Sequence, residues 1–339
     1  MAVPAMPAVA VAALFGAAFA LAALGGGAEA QQLSPAYYDG SCPHVYDTVR
    51  RVVQEARASD PRILASLLRL HFHDCFVNGC DASLLLDETP TMRSEKAADP
   101  NNGSARGFPV VNDIKAALEN ACPGVVSCAD ILALAAEVSV ELAGGPYWRV
   151  MLGRRDGMAA NFDGAQNLPN PKEELNDLKQ KFADLGLDDT DFVALQGAHT
   201  IGRAQCKSFQ DRLYNFSATE RPDPTLDRSY LAALRESCPA AVSGNTRLNN
   251  LDPATPDTFD NRYYANVLRN RGLLRSDQAM LSAPEEGAGS TAPIVERFAD
   301  SQAEFFQSFA TAMIKMGNIA PLTGGMGQVR RDCRVVNRT

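Results

Sequence analysis

The run Arg69-Leu70-His71-Phe72-His73-Asp74-Cys75-Phe76-Val77-Asn78-Gly79-Cys80-Asp81-Ala82-Ser83 holds two of the four histidines and two of the eight cysteines of this 339-residue chain. It follows Asp60-Pro61, which reads as a helix start with Asp as N-cap and Pro at the first helical position. Ile63, Leu64, Leu67, Leu68 and Phe72 keep a helical period, so a helix is expected to run until near Asn78-Gly79. Arg69 and His73 then stand at i and i+4 on one face, flanked by Phe72. His71 falls roughly 160° away from His73 around the axis. A His-x-His metal pair therefore requires a strand here, and the cap and the apolar period argue for helix. An arginine stays protonated, whereas an imidazole with a pKa of ~6.5 can carry a proton back and forth. Together they can hold negative charge while a proton moves. Spacing alone also fits a surface arginine beside a hydrogen-bonded core histidine.

Around this run the chain is of ordinary globular make-up, 46% hydrophobic and 21% charged with 25 Gly and 20 Pro. Disordered, collagen-like and coiled-coil proteins are excluded. The net charge of −8 speaks against a nucleic-acid partner. Residues 1–28 carry no charged side chain, and 8–24 are apolar. Gly25-Gly26-Gly27 and Ala28-Glu29-Ala30 then give a small-x-small cleavage site. Residues 1–30 are expected to be a signal peptide, leaving 31–339 as one exported domain with no membrane segment. In that setting Cys42, Cys75, Cys80, Cys122, Cys128, Cys206, Cys238 and Cys333 read as four disulfides, whose pairing the sequence leaves open among 105 possibilities. No Cys-x-x-Cys or His-Glu-x-x-His suggests zinc. Sequons stand at Asn102, Asn215 and Asn337.

Helical patterns dominate. Further helices are expected over 110–120, 129–142, 175–185, 191–198, 261–271 and 294–315, and a strand over 149–152. The reading is of a mostly α protein with long ordered loops and very short β pieces. His199 ends the apolar face of Phe192 and Leu195, where Asp188, Asp189 and Thr190 are candidate caps. A histidine so placed is a core residue or an iron ligand. As a ligand it needs an acceptor for its other ring nitrogen. Asp74, Asp81 and Ser83 offer hard oxygens around a tight loop, suited to calcium or to turns and caps.

The opening run resembles the distal haem motif of the secretory plant (class III) peroxidases. The resemblance continues through Ser104-Ala105-Arg106-Gly107-Phe108, Val126-Ser127-Cys128-Ala129-Asp130, Gly144-Gly145-Pro146-Tyr147-Trp148 and Gly153-Arg154-Arg155-Asp156. It takes in Gly197-Ala198-His199-Thr200, Thr258-Phe259-Asp260-Asn261 and Arg330-Arg331-Asp332-Cys333, in the family's order. It implies the haem peroxidase fold, two helical subdomains sandwiching one haem b, and two calcium ions. By resemblance His73 is the distal acid and base, Arg69 its cationic partner, and Asn101 the residue that orients it. Glu95 would be the supporting carboxylate, reaching the nearby calcium through water. His199 would be the iron ligand, with Asp277 as its acceptor, and Phe72 would line the haem. Pro169 would bind the donor. The implied calcium sets are Asp74, Val77, Gly79, Asp81 and Ser83, then Thr200, Asp252, Thr255, Thr258 and Asp260. The implied disulfides are Cys42–Cys122, Cys75–Cys80, Cys128–Cys333 and Cys206–Cys238, with Arg154 and Asp130 as a structural ion pair.

The implied activity is reduction of hydrogen peroxide to water and one-electron oxidation of small aromatic donors, by a secreted, monomeric cell-wall enzyme. Two other classes remain as contrasts. A secreted haem- or calcium-binding glycoprotein without turnover would not need Arg69, His73 and Asn101 together. A zinc hydrolase using His71 and His73 would need a strand and a third ligand.

Overall fold

The computed structural model describes residues 1–2, 32–242, 244–283 and 287–338. The signal peptide expected over 1–30 therefore lies, apart from its first two residues, outside the described residues. In chain order the helices are α1 (Val45–Ser59), α2 (Ile63–Cys75), α3 (Phe108–Ala121), α4 (Cys128–Leu142), α5 (Phe162–Gln166), α6 (Leu175–Ala183) and α7 (Asp189–Gln196). A strand β1 (Arg203–Gln205) precedes α8 (Gln210–Tyr214) and α9 (Arg228–Ser237), and β2 (Leu248–Asn250) pairs antiparallel with β1. Helices α10 (Arg262–Leu268), α11 (Arg275–Ser282), α12 (Ala288–Asp300) and α13 (Gln302–Gly317) complete the fold. It is mostly α.

Two groups of helices share one core. In the first, α2 packs on α4 while α1 packs on α3 and α4. In the second, α7 packs on α13 and α12, and α12 also meets α10 and α11. Contacts between α13 and α2 join the groups. Helix α4 is the spine of the first group. Ser127 caps it by accepting from Asp130 N at 3.1 Å, and its residues are buried from Cys128 to Val140. Helix α7 starts at a capping box in which Asp188 and Asp191 each accept from the other's backbone N–H (2.9 and 3.0 Å). A smaller apolar cluster, Phe209, Leu213, Leu226 and Leu234 among others, gathers around Cys206–Cys238. The other disulfides are Cys42–Cys122, Cys75–Cys80 and Cys128–Cys333. Inside the core the Arg154 guanidinium meets Asp130 at 2.8 Å and donates to Gly317 O, tying α4 to the end of α13.

Several boundaries differ from the sequence reading. Helix α2 ends at Cys75, short of Asn78-Gly79, and begins at Ile63. Asp60 still serves its start, accepting from Arg62 N through its side chain and from Ile63 N through its carbonyl. The span 294–315 is two helices. Ser301 leaves the helical conformation (φ −133°, ψ 100°) and caps α13 by accepting from Glu304 N. The apolar period continues across this break, which is why it was not visible. Residues 149–152 form no strand. Only Leu152 bridges, to Ser34, and Gly153 N is taken by Asp130. The segment is buried at Val150 and Leu152, which produced the strand-like alternation.

Candidate active site

Helix α2 presents Arg69 and His73 on one face. Arg69 Nε donates to His73 Nε2 at 3.0 Å. The same guanidinium is held by Pro100 O (2.8 Å) and Ser104 Oγ (3.1 Å) through Nη2. His73 Nδ1 donates to Asn101 Oδ1 at 2.5 Å. That bond fixes the tautomer: Nδ1 carries the proton and Nε2 keeps its lone pair. Asn101 is oriented in turn by Nδ2 donating to Glu95 O at 2.8 Å. It is the Glu95 carbonyl, not the carboxylate the resemblance implied, that holds Asn101. The Glu95 carboxylate instead accepts from Asn161 N. Phe72 sets its ring edge-on to His73, with centroids 5.4 Å apart.

Burial, reinforced by the neighbouring Arg69 charge and only partly opposed by Asn101, holds His73 well below the usual imidazole range. Burial lowers Arg69 to about 10, which leaves it a cation at neutral pH. The arrangement is therefore a neutral base beside a permanent positive charge. His71 points elsewhere, against the Cys75 sulfur, and burial and Arg154 push it down to about 3. The helix separates it from His73, so no His-x-His metal pair exists.

His199 lies beyond the end of α7, on the tight turn Gly197–Thr200. A Cβ at Gly197 would overlap Tyr264 Oη and Phe305, so glycine is what lets this turn press against α10 and α13. His199 Nδ1 donates to Asp277 Oδ1 at 2.7 Å. The carboxylate is fully buried on α11 and also accepts from Tyr263 Oη (2.9 Å) and Leu274 N (2.8 Å). With Nδ1 so engaged, His199 Nε2 keeps a lone pair to offer. The ring is 28% exposed although Asp277 is not exposed at all. An accessible imidazole with a carboxylate behind it is a donor set that fits haem iron.

Two oxygen clusters adjoin these histidines. Beside His73, three buried oxygens meet no hydrogen-bond donor: Asp74 Oδ1, Ser83 Oγ and Glu95 Oε2. Burial and mutual repulsion push Asp74 well above the usual carboxylate range. Acceptors left bare in a buried site suit a hard cation. Beside His199, Thr200 Oγ1 meets Thr258 O and Asp260 Oδ1 at 3.4 and 3.3 Å. Thr255 Oγ1 reaches Asp260 and Asp252. Among the described residues no three His, Cys, Asp or Glu side chains make a metal cluster by themselves.

Pro169 is half-buried on the loop between α5 and α6, which Ser276 N fastens to α11 through Pro171 O. Asn102 and Asn215 are exposed, whereas Asn337 Nδ2 donates to Val329 O. Three groups of the site were not singled out from the sequence: the Pro100 carbonyl, Ser104 and Tyr263. Ser104 lay within a quoted motif, but nothing marked its hydroxyl. Tyr263 is 14 residues from Asp277 and has no sequence signal for that bond.

Residues 49–301 match the family described as peroxidase. The chain is 58% identical to Peroxidase 15 of Ipomoea batatas, covering 90% of this chain and 93% of that protein. It is 55% identical to Peroxidase 54 of Arabidopsis thaliana (92% and 86%) and 54% identical to Peroxidase C2 of Armoracia rusticana (90% and 88%).

Proposed function

The chain belongs to the peroxidase family, and from that premise we propose how its own residues divide the work of reducing hydrogen peroxide with a haem and oxidising aromatic donors. His199 holds the iron of one haem b, and the haem supplies the redox chemistry of iron when bound. Asp277 takes the Nδ1 proton of His199 in a strong hydrogen bond and so makes the ligand more electron-donating. His73 Nε2 would remove the proton from hydrogen peroxide and return it to the departing oxygen, which leaves as water. Arg69 stabilises the negative charge that develops as the O–O bond breaks. Asn101 keeps His73 in the tautomer that leaves Nε2 unprotonated. Phe72 lines the pocket, and Pro169 meets the donor.

What carries this assignment is the Nδ1 partner of each ring: a neutral amide for His73 and a carboxylate for His199. The first fixes the tautomer of a base that burial and Arg69 keep neutral; the second strengthens a ligand. His73→Ala is expected to retain haem and to slow the reaction with peroxide by more than the ~10²–10⁴ usual for a general base, because geometry is lost as well. Stopped-flow absorbance after mixing with peroxide measures it, and a wild-type rate in this variant would overturn the assignment.

We further infer two calcium ions. One takes Asp74, the Val77 and Gly79 carbonyls, Asp81 and Ser83, with Glu95 reaching it through water. The other takes Thr200, Asp252, Thr255, Thr258 and Asp260. Residues 31–339 act as the mature domain, a monomer exported to the cell wall once residues 1–30 are removed. Glycans are placed at Asn102 and Asn215, and Asn337 is the weakest of the three sequons because its amide is engaged. Four disulfides support an oxidising compartment. No described helix is long and apolar enough to cross a membrane.

A further inference from the structure

Tyr147 is the one exposed phenylalanine, tyrosine or tryptophan among the described residues, with 61% of its surface accessible. Its neighbour Trp148 is the only tryptophan of the chain and is buried. From Trp148 a run of buried rings leads inward. Trp148 meets Phe309 edge-on at 6.0 Å between centroids, and Phe309 meets Phe305 at 5.8 Å. Phe305 meets Tyr264 at 5.0 Å, and Tyr264 meets Tyr263 at 5.0 Å. Tyr263 stands edge-on to His199 at 6.2 Å and hydrogen-bonds to Asp277. Edge-to-face rings at these spacings are also good core packing. Packing alone, however, does not require the run to begin at the residue directly after an exposed tyrosine and to end on the partly exposed imidazole of His199.

We propose that Tyr147, relayed by Trp148, is a second oxidation site that takes phenolic groups attached to a polymer too bulky to enter the haem pocket. The proposal rests on His199 being the haem ligand. One electron passes from Tyr147 through Trp148 and the packed rings to the peroxide-oxidised enzyme. The phenolic proton of Tyr147 passes to the water that bathes it, leaving a neutral tyrosyl radical. A phenol of the polymer then gives its O–H hydrogen atom to that radical. Tyrosine is restored, the enzyme is one electron more reduced, and the donor becomes a phenoxyl radical. Trp148 and the two buried tyrosines are the oxidisable stations, and Phe309 and Phe305 keep the rings between them in contact.

The test compares the wild-type holoenzyme with Tyr147→Phe on two probes, free 2-methoxyphenol and tyramine grafted onto dextran. The substitution is expected to leave 2-methoxyphenol turnover within about twofold and to cut dextran–tyramine oxidation about tenfold. A second readout needs no donor. With peroxide and a nitroso spin trap, mass spectrometry is expected to find the adduct on Tyr147 in the wild type and not in Tyr147→Phe. Unchanged dextran–tyramine oxidation in the variant, or a wild-type protein with no adduct at Tyr147 or Trp148, would overturn the proposal. Failure of the wild type to turn over 2-methoxyphenol would overturn the haem reading, and this site with it.

Discussion

On the proposed reading, His73 and His199 use the same side chain for opposite purposes. His73 is buried, donates Nδ1–H to the amide of Asn101, and accepts from a guanidinium. His199 donates Nδ1–H to a buried carboxylate that already accepts from Tyr263 and Leu274. A neutral acceptor fixes a tautomer and adds little negative charge, and the adjacent cation disfavours a second proton. A carboxylate pulls on the proton and pushes electron density to the far nitrogen. Under that proposal identical imidazoles become a proton carrier and a metal ligand through their neighbours: Asn101 and Arg69 for one, Asp277 for the other. A further parallel runs along the chain: each histidine is followed directly by a member of an oxygen cluster, Asp74 after His73 and Thr200 after His199.

Asp277→Asn would make the two Nδ1 partners chemically alike, and so is the sharpest way to break the contrast. Haem is expected to stay bound while the reaction with peroxide slows by about 10–100-fold, the usual cost of losing such a supporting group. The iron reduction potential is expected to rise, because the ligand donates less. A spectroelectrochemical titration reads the potential directly. An unchanged potential would mean that the carboxylate does not distinguish this imidazole from the other.

Removing calcium tests whether the residues that follow each histidine matter to it. Exhaustive chelation is expected to lower the melting temperature and activity together. At 100 times Kd each bound ion contributes about 2.7 kcal/mol to stability. Calorimetry with and without re-added calcium, alongside metal analysis, measures the effect. Active protein shown to contain no calcium would remove both ions from the account.

How much of this was legible in the chain depends on the range of the interaction. The Arg69–His73 pair could be placed because four residues of helix bring them together. The caps at Asp188 and Ser127 were local too, although only the first was read as one. The Asp277 partner of His199 lies 78 residues away, a distance across which spacing says nothing and only the family's motif order helped. The end of α7 before His199 was missed because an apolar face can end on a tight turn as readily as on a helix. The break at Ser301 was hidden for a related reason. Phe298 and Phe305 bury on the same core from two separate helices, so the apolar pattern runs on while the backbone does not.

A buried carboxylate on α4 supplies the complement to Asp277 and the smallest expected effect. Glu137 is as fully buried as Asp277, yet neither of its oxygens has a donor at full hydrogen-bond geometry. Burial pushes it to about 7, against the pull of Tyr46, the Trp148 backbone and Arg50 nearby. An acid whose folded pKa is raised favours the folded state only while protonated. The resulting penalty is absent below its ordinary value near 4.5, grows as pH rises through that range, and is complete above about 7. Glu137→Gln is therefore expected to leave stability unchanged at pH 4 and to raise it at pH 8 by at most about 3 kcal/mol. Turnover of small phenols should not move, since Glu137 touches neither histidine. Urea unfolding at the two pH values separates the cases. If the variant were equally stabilised at both, the gain would come from packing and not from the missing donors that set Glu137 apart from Asp277.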